Sequence, residues 1–299
     1  DALPICCWRD YFQRVQQHRN LLEDIRSEQT PVANREIPVA VREASTGIEG
    51  IDRAIRELYE TGYMHNHSRM YTAALVCNLA QSHWLLPAQW MYYHLLDGDW
   101  ASNSCSWQWV AGANSSKKYI ANQENINRYT RTAQTGTFLD RSYEELAVME
   151  IPDELKGTKP LVLETRLPET GAIALDLALP TYIYNYYNLD PLWDREVAAN
   201  RVLLLEPEFF AAYPVSEYCM EFVRGLAENI PGIQVYTGSF QSLVQVTGAG
   251  EIRYKEHPFN AHYTGTVVSR DWISEEVTGY YPSFFAYWKQ LEKQFGKKA

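Results

Sequence analysis

The chain contains no uninterrupted apolar run approaching the roughly 20 residues that a membrane-crossing helix needs. Its start has no basic stretch leading into an apolar one. These two absences predict no membrane partner and, by default, a cytoplasmic protein. Cysteine is scarce and unpatterned. Cys6, Cys7, Cys77, Cys105 and Cys219 are odd in number and form no C-x-x-C pair, so neither a disulfide framework nor a metal site is expected, and the thiols should be reduced. Positive charge is in deficit as well. With 27 Lys and Arg against 37 Asp and Glu the net charge is -10, which opposes gripping nucleic acid by bulk charge, because non-specific affinity comes from neutralised phosphates. The cations that do cluster are Lys117, Lys118, Arg128, Arg131 and Arg141, a local basic face. There is no G-x-G-x-x-G, P-loop, internal repeat or low-complexity tract.

What is present suits a folded chain with two cores. The length is 299 residues, 46% hydrophobic and 13% aromatic, which excludes a disordered polymer. Helical patterns come first. Thr46 to Glu49 has capping-box spacing, and Ile48, Ile51, Ile55 and Leu58 then recur at helical intervals up to Gly62, a suitable C-cap. A second helix is predicted from about Met64 to Leu79. Pro87 suits the first turn of a third, which carries Trp90, Tyr93 and His94 toward Asp97.

Residues 152 to 191 hold Pro152, Pro160, Pro168, Pro180 and Pro191 without sustained periodicity, and read as an extended connector. Its Tyr182 to Tyr187 stretch is read as half-buried aromatic packing rather than a stacking platform. Beyond it Val202 to Leu205 and Ile233 to Tyr236 suit strands, and Ser216 suits the cap of an intervening helix bearing Cys219, Phe222, Val223 and Leu226. Ile252 to Tyr254 could add a third strand to a small parallel or mixed sheet with a right-handed crossover.

Residues 97 to 109, Asp-Gly-Asp-Trp-Ala-Ser-Asn-Ser-Cys-Ser-Trp-Gln-Trp, combine two acids, two amides and three indoles. Carboxylates and an Asn can hydrogen-bond the polar edge of a ring cofactor, while Trp107 and Trp109 offer faces for stacking or electron passage. Upstream lies Met64-His65-Asn66-His67-Ser68-Arg69-Met70, in which Arg69 is a permanent cation able to pair with Asp97 or Asp99. Taken singly, each acid is more simply a helix cap or surface charge, and each indole a core residue. Their joint spacing favours a cofactor wall.

These two stretches, with Trp8-Arg9-Asp10-Tyr11-Phe12 and the Thr46-Gly47 helix ending at Thr61-Gly62-Tyr63, resemble the flavin-binding helical domain of the photolyase and cryptochrome family over roughly residues 6 to 145. The resemblance implies FAD as cofactor, bound by Asn66, Arg69, Asp97, Asp99 and Asn103. Asn103 would face the flavin N5, as in photolyases. Trp107 would be the electron donor nearest the flavin and Trp84 the next. The outermost donor finds no match around residues 29 to 36, which implies either a tyrosine or Trp100 in that role or slow photoreduction. Trp8, Asn66, Met70 and Trp109 fall on contacts to an extruded pyrimidine dimer in damaged DNA.

The family's acid three positions before the first substrate tryptophan is replaced by Ile5, and its Ser/Thr/Arg clamp for the flavin phosphates has no counterpart, which implies lost upstream sequence or divergence. The expected fold is therefore mostly α. A helical photolyase-type FAD-binding domain (1–150) and a Pro-containing connector (151–195) precede a small α/β unit (196–299), which resembles part of the family's antenna-type domain out of order and reads best as a structural partner. The implied function is light-driven repair of cyclobutane pyrimidine dimers. The alternatives are a cryptochrome-like blue-light photoreceptor and a former flavin domain kept as a structural module.

Overall fold

The computed structural model describes residues 2–297. The chain divides into two units, Asp1–Leu163 with Gly279–Ala299, and Glu164–Thr278. The first is helical: α1 (Ala2–Gln16), α2 (Val39–Arg42), α3 (Glu49–Thr61), α4 (Asn66–Ala74), α5 (Leu85–His94), α6 (Trp100–Ala111), α7 (Gln123–Thr130) and α8 (Tyr143–Ala147). The α4 helix continues as a π-helical turn, Leu75–Leu79. α6 packs against α1, α4 and α5, so its side chains are surrounded on several sides.

Helix α3 shows how the sequence specifies these elements. Ile48, Ile51, Ile55 and Leu58 are all buried, as their spacing predicts. Gly62 ends the helix at φ 68°, with its N–H donating to the Leu58 carbonyl at 2.9 Å. A Cβ there would also lie 2.5 Å from Leu96 Cγ, so glycine is required twice over. The start differs from expectation, because no capping box forms from Thr46 to Glu49 and Ile48 is the N-cap. Asp52 reaches back instead, and its carboxylate accepts from the Thr46 N–H and hydroxyl at 2.8 and 2.6 Å and from the Gly47 N–H at 3.1 Å. A carboxylate held by three donors outcompetes a lone Glu–backbone bond.

The second unit is built on a five-stranded sheet of order β3-β2-β1-β4-β5, formed by β1 (Thr181–Tyr184), β2 (Asn200–Leu205), β3 (Ile233–Thr237), β4 (Ile252–Lys255) and β5 (Thr266–Val268). Every pair is parallel. Helices α9 (Pro207–Ala212), α10 (Glu217–Ala227) and α11 (Phe240–Thr247) connect the strands. The Ser216 hydroxyl caps α10 by accepting from the Cys219 N–H at 3.2 Å. On that helix Cys219 and Val223 are buried, whereas Phe222 and Leu226 are exposed.

The sequence reading is corrected at three points. The stretch 151–195 contains the central strand of the sheet, β1, with Tyr182, Ile183 and Tyr184 all buried. Its Tyr residues pack face to edge on Trp193 at 4.8 and 5.0 Å. The chain past residue 278 belongs to the helical unit, where α12 (Phe284–Lys297) packs on α1. The fold is also less α than expected, with 42% helix beside an entirely parallel sheet. Parallel pairing joins strands far apart in sequence, and that kind of pairing leaves little local signal.

Candidate functional site

The turn Asp97-Gly98-Asp99 joins α5 to α6. A Cβ at Gly98 would lie 2.9 Å from the Leu95 carbonyl and 3.2 Å from the Tyr92 ring, so the turn admits only glycine. The two acids on either side serve different ends. Asp97 is exposed and receives both its bonds from Arg69 Nη2, each at 2.9 Å. Arg69 is fixed in turn by its Nε donating to the Met64 carbonyl at 2.7 Å. Asp99 is buried and caps α6: Oδ2 accepts from the Ser102 N–H at 2.9 Å and hydroxyl at 2.5 Å, while Oδ1 accepts from Gln13 Nε2 at 2.9 Å.

Asp99, Asn103 and Trp107 recur every four residues and so share one stripe of α6. Asn103 donates its Nδ2 to the Ala88 carbonyl of α5 at 2.8 Å. That bond turns Oδ1 the other way, where no donor among the described residues reaches it. Trp107 is buried, and Trp109, two positions on and so on another face, is exposed. Asn66 is exposed and Met70 half-buried at the start of α4.

The remaining sequence-derived residues fall as follows. Trp84 is fully buried, with its indole N–H donating to Asp24. Trp100 is fully buried too, which removes it as the solvent-facing end of an electron relay. Trp8 stacks on Phe284 of α12, ring centroids 3.7 Å apart and planes 10° from parallel. Trp109 meets Tyr119 at 5.8 Å. Among the described residues no ring contact joins Trp8 to Trp109, and each meets a different aromatic partner. The Ile5 side chain lies outside the described residues. Sequence reasoning missed Gln13, Asp24 and Phe284, since a partner that acts through tertiary contact carries no local motif.

With this geometry in place, the comparisons with known proteins are decisive. The sequence model of the FAD binding domain of DNA photolyase matches residues 5–161. This chain belongs to that family. As a member it is 32% identical over 155 residues to the deoxyribodipyrimidine photo-lyase of Synechococcus sp., covering 50% of this chain and 32% of that protein. It is 39% identical over 72 residues to the Escherichia coli photo-lyase, covering 24% and 15%. It is 28% identical over 202 residues to the cryptochrome DASH of Danio rerio, covering 64% and 36%. The chain thus spans about a third of the length of the first of these relatives.

The cofactor of the matched domain is FAD, and the residues present fit the ring end of that molecule. Asn103 offers a half-buried acceptor that no donor among the described residues reaches, Arg69 and Asp97 form an open ion pair, and Trp107 supplies a buried indole on the same helix stripe. Asp99 is the exception, because its oxygens are already taken by the cap and Gln13. The α/β unit offers no comparable site. At the carboxyl ends of β1, β2 and β4, where open parallel sheets bind ligands, Tyr187, Phe209, Phe259 and Tyr263 close around a cavity of about 20 Å³, room for about one water. Glu206, which also lines it, is engaged by the Phe240 N–H at 3.0 Å, His262 at 3.0 Å and the Tyr263 hydroxyl at 2.8 Å. Among the described residues no helix is long and apolar enough to cross a membrane.

Proposed function

We propose that this chain is the flavin-binding part of a deoxyribodipyrimidine photolyase-like carbon–carbon lyase, which repairs cyclobutane pyrimidine dimers in DNA under blue light. FAD supplies the electron chemistry when bound. Arg69, Asp97 and Asn103 set its orientation, and Asn103 Oδ1 accepts a hydrogen bond at the ring edge. Trp107 and then Trp84 return electrons to it. Trp8, Asn66, Met70 and Trp109 receive the dimer, whose extrusion costs little because damage has already weakened its stacking.

The observation that supports this reading most is the stripe of α6 that sets the free acceptor of Asn103 one turn from buried Trp107, beside a helix holding the Arg69–Asp97 pair. The phenyl ring of Phe284 over Trp8 favours a second reading, a cryptochrome-like photoreceptor whose lesion contact is covered. The similarity to a cryptochrome DASH agrees with it. The test loads the chain with reduced FAD and counts dimers in single-stranded DNA before and after blue light. Repair in light and none in darkness is the expected result. Bound flavin without loss of dimers favours the photoreceptor, and failure to take up flavin favours a structural module.

A further inference from the structure

The outer end of the electron relay is where sequence matching fails, and the structure offers a substitute there. The indole N–H of Trp84 donates to Asp24 Oδ1. Asp24 is held from a second side, its Oδ2 accepting from the Gln29 N–H at 2.9 Å. Gln29 is itself buried, and it fixes both the Trp84 backbone through Oε1 and the Ser82 carbonyl through Nε2, each at 2.9 Å. The carboxylate therefore cannot swing from the indole without breaking a buried network. Trp84 is closed to water, whereas Asp24 opens on a cavity of about 440 Å³ lined also by Arg26, Arg35 and His83. His83 Nε2 stands 3.9 Å from the same Asp24 oxygen, and burial lowers its pKa, so the near imidazole is neutral at pH 7.

One-electron oxidation makes an indole N–H strongly acidic, and here a carboxylate already holds that proton. We propose that Asp24 is the proton acceptor of Trp84. The inference rests on the relay of the proposed function. With oxidised flavin bound, Trp107 would give one electron to it under blue light and recover one from Trp84. The indole N–H bond of Trp84 then breaks and an O–H bond forms on Asp24. Trp84 has lost one electron and one proton, and a neutral indolyl radical remains. A thiolate reductant from solution later supplies the electron, becoming a thiyl radical, while the proton on Asp24 returns to nitrogen. Moving the proton makes return of the hole toward the flavin uphill, which lets two tryptophans do the work of a longer relay. Asp24 acts through Trp84 and is a positioning and proton-holding residue.

The test uses the full chain loaded with oxidised FAD and time-resolved absorption after a blue flash, in H₂O and D₂O. The parent is expected to form the neutral indolyl radical with a solvent isotope effect. Asp24→Asn keeps an acceptor of nearly the same shape but not a base, and should lose both the neutral-radical band and the isotope effect. Asp24→Glu should restore them. A second readout needs no light or flavin: the Trp84 indole N–H proton resonance, assigned by its loss in Trp84→Phe, should move upfield in Asp24→Asn. An unmoved resonance overturns the contact. An unchanged radical in Asp24→Asn, with photoreduction slowed in Trp84→Phe, overturns the proton step and leaves the relay standing. Unchanged photoreduction in Trp84→Phe overturns the relay reading and this inference together.

Discussion

The indoles of the helical unit occupy two regions that differ in almost every physical respect. Trp84, Trp90, Trp100 and Trp107 lie closed within the packing of α5 and α6, each no more than 2% exposed. Trp8 and Trp109 are 38% and 43% exposed. The first region is closely packed. Burial lowers the pKa of His94, which meets the Trp90 ring at 6.2 Å, to about 4. A closely packed environment suits electron passage, since little solvent must reorganise, whereas an exposed ring face suits contact with a ligand. The two acids of the Asp-Gly-Asp turn divide the same way, Asp99 buried and saturated with donors and Asp97 exposed on a single arginine.

The largest expected effect breaks the comparison at its centre. Trp107→Phe keeps most of the packing surface and should retain flavin while photoreduction largely disappears. Unchanged flash kinetics would place the relay elsewhere. On the exposed side Trp109→Ala should weaken binding of dimer-containing single-stranded DNA by about 1–3 kcal/mol, the scale of base–aromatic stacking, with little change in melting temperature. Titrations of labelled oligonucleotide read this directly.

The burial of His94 has a pH signature. His94 titrates lower in the folded chain than in the unfolded one, so between its ordinary value of 6.5 and about 4 the unfolded state binds more protons. Stability therefore falls as pH drops through that window, by about 2 kcal/mol between pH 7 and 5. Urea unfolding at both pH values should show a smaller loss in His94→Gln, and an equal loss would mean that the region is wet.

The smallest effects separate the two acids. Asp99→Ala removes a helix cap and strands Gln13, and should cost about 0.5–2 kcal/mol. Asp97→Ala breaks an exposed pair and should cost the flavin-free chain no more than about 1 kcal/mol, although a buried pair would cost several times more. Equal losses of stability in the two variants would erase the distinction.

How far the sequence alone could reach follows from the same residues. Helix α3 and the Gly62 cap follow from local periodicity, whereas the choice of Asp97 over Asp99 as the partner of Arg69 is what the family resemblance implies. Strand β1 does not, because four residues between prolines acquire their identity from neighbours at 200–203 and 252–254. Phe284 over Trp8 joins the two ends of the helical unit, and the cap that occupies Asp99 depends on Gln13 from α1. Tertiary partners of this kind have no sequence signature. They decide here which acid is structural and which indole is covered.

The central claim is that the α6 stripe and the Arg69–Asp97 pair hold the ring of FAD. The absorption spectrum of the purified chain after incubation with FAD and removal of the excess tests it most directly. Retained flavin with structured blue and near-ultraviolet bands in the parent, and its loss in Arg69→Ala and Asn103→Ala variants that still fold, is the predicted result. A parent that retains no flavin, or variants that retain as much as the parent, would contradict it.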